Sequence, residues 1–378
     1  MSWHPVLTGA EAERARAVAL EVASRLAARE HAAEDPPLPG LSSADSSIAL
    51  VCAQLDRMFP DGGWDRAGHL HLTAAGRTAE RGGTPLGLFD GVAGLGYTAQ
   101  RLAAGRTRYG TLLTAIDDAI AAGVAASSAR LARAGGMPVR AWDLISGITG
   151  IGVHLLGRRE EPAARAALGE ILSALVELTR ETDGAPRWAT PPEHLYEDMR
   201  ASAPEGNLNC GLAHGVPGPL ALMSLALAEG VEVSGQADAV RRLADWVAGQ
   251  CRPGRFGPEW PAAIPLGEYQ RADRQPPARP GWCYGSAGVG RTLWLAGVAL
   301  DEPELLEVGD VAEVPGERAE DGRGDAVQLV VVERHHRDWV AALHYGIIDR
   351  DVGAELQLLA RRADGVTFAP GIAHGLDR

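Results

Sequence analysis

Cysteine is scarce in this sequence. Only four cysteines occur in 378 residues, and no two lie at the spacing of a zinc finger or a disulfide framework. The class of small secreted proteins held together by disulfide bonds is therefore excluded, and the few thiols are typical of a reduced, cytoplasmic protein. The four are Cys52, Cys210, Cys251 and Cys283.

Clustered positive charge and long apolar runs are also missing. The net charge is −13 and no basic block offsets it, so nucleic acid is not expected as a partner. No apolar run approaches the roughly 18 residues of a transmembrane helix, and the N-terminus has no basic-then-apolar signal pattern. We therefore expect a soluble cytoplasmic protein with no transmembrane segment, whose acidic surface would tolerate a basic peptide.

β-Branched residues are sparse as well, except in the last quarter of the chain. Alanine and leucine dominate the 46% of residues that are apolar, which favours helices over strands. Apolar positions recur at helical intervals and predict an all-α protein. The predicted helices cover residues 10–28, 47–58, 95–102, 112–134, 151–156, 162–180, 220–228 and 237–251.

Glycine, in contrast, is abundant and occurs in a repeated pattern. With 47 glycines, isolated Gly-x-x-Gly matches are expected by chance, so the spacing and context carry the argument. Four copies each precede an apolar, helix-like segment, and their first glycines are 56, 68 and 70 residues apart. This period predicts a repeated helical hairpin, with the helix starts gathered at one end of a ring. The copies are Asp90-Gly91-Val92-Ala93-Gly94, Ser146-Gly147-Ile148-Thr149-Gly150, His214-Gly215-Val216-Pro217-Gly218 and Tyr284-Gly285-Ser286-Ala287-Gly288.

The repeat pattern stops near residue 308. Residues 309–325 are charged and glycine-rich, and residues 326–333 form a strand-like run unlike anything before it. We therefore predict one domain over residues 1–308 and a divergent C-terminal segment over residues 309–378. We interpret that segment as a truncated or frame-altered end. A fifth glycine-turn unit in another reading frame of the coding DNA would test this interpretation.

Two side chains beside these turns have the chemistry of acid–base catalysis. His214 directly precedes the helix-starting glycine of the third copy, and is either an acid–base group or an ordinary polar histidine. Asp143 precedes the second copy, and either caps a helix or orients His214 across the ring.

Cys283 stands directly before Tyr284 in the fourth copy. It is either a buried structural thiol or a metal ligand or nucleophile, and Arg279 would help to stabilise its thiolate. Cys210 lies four residues before His214, which is close enough for a metal pair. A packed small residue is the better interpretation of Cys210.

Together these motifs resemble those of the lanthipeptide cyclases, the LanC-like proteins. The His-Gly step within residues 211–218 and the Trp-Cys-Tyr-Gly run within residues 282–288 carry the resemblance. Residues 88–94 and 143–150 are similar to the family's earlier turns, so the resemblance covers residues 1–308 in order. It implies an α/α toroid, a double ring of helices built from glycine-turn helical hairpins.

The resemblance also implies a function. Members of the family use zinc to add cysteine thiolates of a dehydrated lanthipeptide precursor to dehydroalanine or dehydrobutyrine, which closes thioether rings. Carried over to this chain, Cys283 is the zinc ligand, His214 the acid–base group and Asp143 its partner. Arg279 and Tyr284 would support the intermediate or the ligand. A lanthipeptide dehydratase is a further expected partner.

The chain departs from the family at the zinc site. The family supplies two more ligands in a later Cys-His-Gly turn, whereas no Cys-His pair occurs here, and the nearest candidates are His344 and His374. An alternative function is therefore a degenerate, metal-poor relative that binds a peptide or a dehydratase. A third alternative is a glycosidase with the same toroid, for which Asp90 and Asp143 are the candidate carboxylates.

Overall fold

The fold is built almost entirely from α-helices. A computed structural model describes residues 7–29, 38–105, 107–133, 136–182, 184–254, 257–268, 275–279 and 281–313. The helices in these ranges are α1 (Gly9–Ala27), α2 (Ala44–Met58), α3 (Trp64–Ala79), α4 (Val92–Ala103), α5 (Gly110–Arg133), α6 (Ile148–Gly157), α7 (Pro162–Leu178), α8 (Glu197–Ser202), α9 (Pro217–Ala228), α10 (Gln236–Gly249), α11 (Ser286–Leu300) and α12 (Pro303–Glu313). All eight predicted helices are present. Beyond them, α3, α8 and α12 were not predicted, and α11 was expected only as the helix-like segment after the fourth glycine turn.

In the described ranges, three short antiparallel strand pairs occur in the loops between helices. They pair β1 (Glu181–Thr182) with β2 (Ala185–Pro186), β3 (Asn207–Asn209) with β6 (Ala263–Pro265), and β4 (Arg252–Gly254) with β5 (Gly257–Glu259). The β3–β6 pair matters for the site, because it fixes the strand that leads into the third glycine turn. Its register sets Asn209 opposite Ala263.

The helices form an inner and an outer layer. The inner helices α2, α4, α6, α9 and α11 contact one another in this order, and the outer helices α3, α5, α7, α10 and α12 return along them. The inner helices α6 and α9 are buried on all sides: every residue from Ile148 to Leu156 and from Pro217 to Ala226 is buried. Outer helices bury one stripe, as α10 does with Ala239, Val240, Leu243, Ala244 and Val247.

Backbone hydrogen bonds join the turns that precede the inner helices. The amide of Phe89 donates to Ile145 O (3.0 Å), that of Leu144 to Ala213 O (3.1 Å) and that of Ala213 to Cys283 O (3.2 Å). The turns therefore lie side by side at one end of the inner layer, as the glycine repeat predicted. We call residues 40–43, 87–91, 143–147, 211–215 and 281–285 the turn cluster.

The turn cluster includes one turn that the sequence repeat did not show. Residues 40–43 lead into α2, and the amide of Leu41 donates to Leu88 O at 3.1 Å, as the later turns do with their neighbours. This turn was missed because it lacks the second glycine of the Gly-x-x-Gly pattern. Ser43 caps α2 instead, and its side chain accepts a hydrogen bond from the amide of Ser46.

One helix of the described ranges, α5, is long and apolar enough to cross a membrane by length and composition. Its apolar residues Leu113, Ile116, Ile120 and Val124 are buried in the core, and the helix packs against α7. A core helix of a soluble protein has these same properties. The cytoplasmic location remains a prediction.

The predicted C-terminal segment falls mostly outside the described residues. The proposed boundary at residue 308 lies within α12 (Pro303–Glu313). The strand-like run and the histidines of that segment, His344 and His374 among them, lie beyond the described ranges. The division into 1–308 and 309–378 therefore stays a prediction.

A buried polar network ties the two layers together. His154 of α6 is fully buried, and its Nε2 lies 2.9 Å from Asp117 Oδ1 of α5. Arg158 donates to the other carboxylate oxygen, and Gln100 of α4 donates to His154 Nδ1 at 2.7 Å. Burial lowers the pKa of His154 despite its hydrogen bond to Asp117. Burial opposes ionisation of Asp117, but the hydrogen bonds from His154 and Arg158 outweigh it and lower the pKa of this carboxyl group.

This network predicts a loss of stability in mild acid. Below its ordinary pKa of 6.5, His154 binds a proton in the unfolded chain before it does so in the folded protein. The free energy of unfolding therefore falls as the pH drops below about 6.5, by up to about 1.4 kcal/mol per pH unit through this residue. Urea unfolding at several pH values measures the slope. His154→Gln should be less stable overall but should lose this part of the slope; an unchanged slope would contradict the assignment.

Candidate active site

Four polar or aromatic side chains occupy the same place in successive turns of the cluster. Asp90, Ser146, His214 and Tyr284 each directly precede the glycine that begins an inner helix. The hydrogen bonds between turns bring these positions to one surface at the end of the inner layer. The turns at residues 87–91 and 281–285 also meet, because the rings of Phe89 and Trp282 stack with centroids 6.1 Å apart.

Asp143 and His214 form a hydrogen-bonded pair in this cluster. His214 Nδ1 lies 2.6 Å from Asp143 Oδ2. Asp143 is 1% exposed, whereas the side chain of His214 is 39% exposed. The structure therefore joins two candidates that are 71 residues apart in the chain. One member is held inside the protein and the other is open to solvent.

The other carboxylate oxygen of Asp143 stabilises the turn at residues 143–147. Oδ1 accepts hydrogen bonds from the amides of Ser146 and Gly147, both at 2.9 Å. The residue that caps α6 is Gly147, so Asp143 is not its N-cap. Its carboxylate instead braces the turn and accepts the hydrogen bond of His214, so the N-cap interpretation is wrong and the contact with His214 is the one that the structure contains.

This geometry fixes the tautomer of His214. A carboxylate oxygen only accepts hydrogen bonds, so Nδ1 carries the hydrogen and donates it to Asp143. In the neutral ring Nε2 then has a free lone pair. The partly exposed ring can take a proton at Nε2 and give it back, while Asp143 stabilises the charged form between these two events.

Tyr284 lies beside His214. Their ring centroids are 6.5 Å apart and the rings are tilted by 40°. Asn209 Nδ2 donates a hydrogen bond to Tyr284 Oη at 3.2 Å. Burial raises the pKa of Tyr284, and the neighbouring Cys283 and Asp143 add to the effect, although the hydrogen bond from Asn209 partly offsets it. The phenol is therefore protonated at neutral pH and can donate a hydrogen bond.

Cys283 is half-buried, and burial raises the pKa of its thiol, although backbone hydrogen bonds partly offset this effect. Arg279 is exposed, and no hydrogen bond or ion pair joins it to Cys283 or His214 in the part of the chain that the structure describes. The predicted support of the thiolate by Arg279 is therefore not visible in this arrangement.

Cys210 is a packed thiol. It is 3% exposed, and burial raises its pKa to about 12. Its sulfur donates to Leu208 O at 3.6 Å. This environment matches the preferred interpretation of a small buried residue.

The His, Cys, Asp and Glu side chains of the described residues do not by themselves form a zinc site. Within those ranges, no three His, Cys, Asp or Glu side chains are grouped so that they could hold a metal. Catalytic zinc usually has three protein ligands and one open position. Cys283 supplies a single sulfur, so any zinc at Cys283 would need donors from outside the described ranges.

Two residues of the site were missed by sequence reasoning. Asn209 holds Tyr284, and Phe89 stacks on Trp282. A signal for Asn209 was available, because an asparagine two residues before a glycine often bonds its own turn, as Asn209 Oδ1 does with the amide of Gly211. No sequence signal pairs Phe89 with Trp282, which are far apart in the chain.

Comparison with known proteins defines the class to which this fold and site belong. The profile described as lanthionine synthetase C-like protein matches residues 39–314. The chain therefore belongs to the family of lanthionine synthetase C-like proteins. The predicted α/α toroid and family are confirmed by this match together with the structural likeness below.

Among solved structures, the chain is similar to one named nisin cyclase. The likeness has a TM-score of 0.65 at 20% sequence identity, and covers 80% of this chain and 74% of the other. At this identity the likeness shows a shared fold. Comparison with curated protein sequences gives no match.

Proposed function

We propose that this protein is a lanthipeptide cyclase. It adds cysteine thiols of a dehydrated precursor peptide to dehydroalanine or dehydrobutyrine residues and so forms thioether rings. The observation that carries the proposal is the Asp143–His214 pair, which is set in the turn cluster of a lanthionine synthetase C-like protein. The structural likeness to nisin cyclase supports a cyclase role.

The reaction needs one proton to move between two atoms of the same peptide. His214 Nε2 takes the proton from the incoming thiol. The sulfur then bonds to Cβ of the dehydro residue, and the electrons of the C=C bond move toward the carbonyl as an enolate. His214 returns the proton to Cα. Bonds and protons balance, so the product has the mass of the substrate.

The residues around His214 have roles in the same reaction. Asp143 holds the tautomer of His214 and stabilises the imidazolium between the two proton transfers. The hydroxyl of Tyr284 donates to the enolate oxygen, where negative charge develops. Arg279, on the exposed approach to the fourth turn, contacts the peptide or the intermediate from the rim.

The activity is tested on the purified protein with a dehydrated precursor peptide that carries free cysteines. We expect the peptide's thiols to become unreactive toward an alkylating reagent without any change in peptide mass. Loss of free thiols that is no faster than in the absence of the protein would contradict the proposed function. A dehydratase partner is part of the same proposal, and co-purification tests it.

Zinc held by the thiolate of Cys283 is a further part of the proposal. We expect about one zinc per chain in protein purified without chelator. Cys283→Ser should lose the metal, because thiolate is the ligand. Cys251→Ser is the matched control, since Cys251 is also half-buried but lies after α10. Full turnover by zinc-free protein would remove zinc from the proposal.

The alternatives gain no support. Neither the family match nor the structural likeness favours a metal-poor binding module. The glycosidase alternative needs a second free carboxylate, but Asp143 already accepts three hydrogen bonds and is buried. Family membership also points away from a glycosidase.

A further inference from the structure

Both polar atoms of the Asn209 side chain, Oδ1 and Nδ2, are hydrogen-bonded. Oδ1 accepts a hydrogen bond from the amide of Gly211 at 3.0 Å, and Nδ2 donates to Tyr284 Oη at 3.2 Å. The amide of Gly211 can only donate, so the oxygen of Asn209 must face it. The NH₂ group must then face Tyr284. The direction of the hydrogen bond to the phenol is thereby fixed by the backbone.

Asn209 itself is held rigidly. It is 6% exposed and ends β3, where it pairs with Ala263 of β6. The next residue, Cys210, donates its amide to Ala262 O at 3.0 Å. The loop that contains β6 is thus hydrogen-bonded to the strand that contains Asn209, and these bonds fix the backbone position of Asn209.

The ring of Tyr284 is seated against the same turn. A Cβ added at Gly211 would lie 2.5 Å from two carbons of the Tyr284 ring. Only a glycine at this position allows the ring to approach so closely. Asn209 therefore meets a phenol whose position is set independently by packing.

We infer that Asn209 is a positioning residue that makes Tyr284 a hydrogen-bond donor to the substrate's enolate oxygen. Because Tyr284 Oη accepts from Asn209, its own hydrogen is free to point elsewhere. No other protein partner for this hydroxyl occurs among the described residues. The ring of Tyr284 lies beside that of His214, with 6.5 Å between ring centroids, so the phenol and the imidazole border the same part of the turn cluster. This inference rests on the proposed function, since the enolate belongs to that reaction.

Asn209→Asp reverses the hydrogen bond without changing the shape of the side chain. One carboxylate oxygen still accepts from Gly211, but the other can only accept from Tyr284 and captures the phenol's hydrogen. We expect kcat for thioether formation to fall by about 100-fold, similar to Tyr284→Phe, with KM nearly unchanged. In the Tyr284→Phe background, Asn209→Asp should add less than about a twofold effect, since its target is gone.

A second readout does not depend on activity. The protein is labelled with fluorotyrosine, and the fluorine resonance of Tyr284 is identified as the one that Tyr284→Phe removes. Asn209→Asp should shift this resonance, because the phenol then donates its hydrogen to a carboxylate oxygen instead of accepting a hydrogen bond from an amide. Asn207→Asp is the matched control, as it places the same charge two residues earlier on β3.

The variant Asn209→Ser covers the case in which Asn209→Asp does not fold. Its hydroxyl can still accept from Gly211 but is too short to reach Tyr284, so kcat should fall while the turn is kept. Multiplicative effects of the Asn209 and Tyr284 substitutions on kcat, or an unchanged Tyr284 resonance in Asn209→Asp, would overturn this inference in a protein that cyclises its substrate. Absence of cyclisation by the unsubstituted protein would instead overturn the proposed function, and the enolate role with it.

Discussion

Replacing His214 by asparagine is expected to lower the rate of thioether formation by about 10²- to 10⁴-fold, while the fold is retained. Asparagine can keep a hydrogen bond to Asp143 but cannot take up and return a proton. Because the reaction needs the same proton at two atoms in succession, loss of this group slows both transfers. The measurement is single-turnover cyclisation of a dehydrated precursor peptide, followed by thiol alkylation.

Asp143→Asn tests the same pair from its buried side. Its amide oxygen can still accept from the amides of Ser146 and Gly147, but its NH₂ group then faces His214 Nδ1. This arrangement selects the tautomer with hydrogen on Nε2, which cannot accept the thiol's proton. We therefore expect a loss of similar size with little change in KM.

His194→Asn is the control for both substitutions. His194 is exposed in the loop before α8 and lies in a helical turn of residues 192–194, away from the turn cluster. Its replacement should leave the rate unchanged. If His214→Asn were as active as His194→Asn, the acid–base role of the pair would be excluded and the proposed function would lose the observation that carries it.

Gly150→Ala is expected to have the largest effect on stability. Gly150 is the second glycine of its turn, and an added Cβ would lie 2.2 Å from Leu144 O and 2.8 Å from the side chain of Leu88. Both neighbours belong to the turn cluster and are themselves buried, so neither can move away cheaply. We expect a loss of roughly 3 kcal/mol or more in the free energy of unfolding, because the backbone must shift.

A matched glycine separates packing from helix propensity. Gly169 lies within α7 and an added Cβ there meets nothing within 4 Å. Gly169→Ala should therefore stabilise the protein by up to about 1 kcal/mol, since alanine is the better helix former. Thermal or urea unfolding of the two variants should show changes of opposite sign. A destabilisation shared by both would mean that the close approach at Gly150 is not the cause.

The same contact recurs in the other turns, which explains why the sequence repeat is a glycine repeat. An added Cβ would lie 2.0 Å from Leu88 O at Gly94 and 2.0 Å from Trp282 O at Gly288. The inner helices α4, α6, α9 and α11 each start against a carbonyl of the preceding turn. Because the cause of this pattern is local, the pattern can be read from the sequence, and the turn at residues 40–43, which lacks the second glycine, is the one that was missed.

The chemistry of the site was only partly predictable. Asp143, His214, Cys283 and Tyr284 all lie in or beside glycine turns, and the turns do come together. Asn209 and the Phe89–Trp282 stack depend on contacts between different turns. Such contacts leave no periodic pattern, because each partner alone is an ordinary turn or core residue.

The sequence alone determined that this is a helical, glycine-turn protein, since local packing at the helix starts demands glycine and the apolar periods demand helices. The family was indicated by the resemblance of its His-Gly and Trp-Cys-Tyr-Gly motifs. Only the tertiary structure decided which polar groups meet and in which direction each hydrogen points. Asp143 braces one turn with one oxygen and holds the imidazole of the next with the other. The direction of a hydrogen bond follows from the groups on both sides of it, and those groups come from separate parts of the chain.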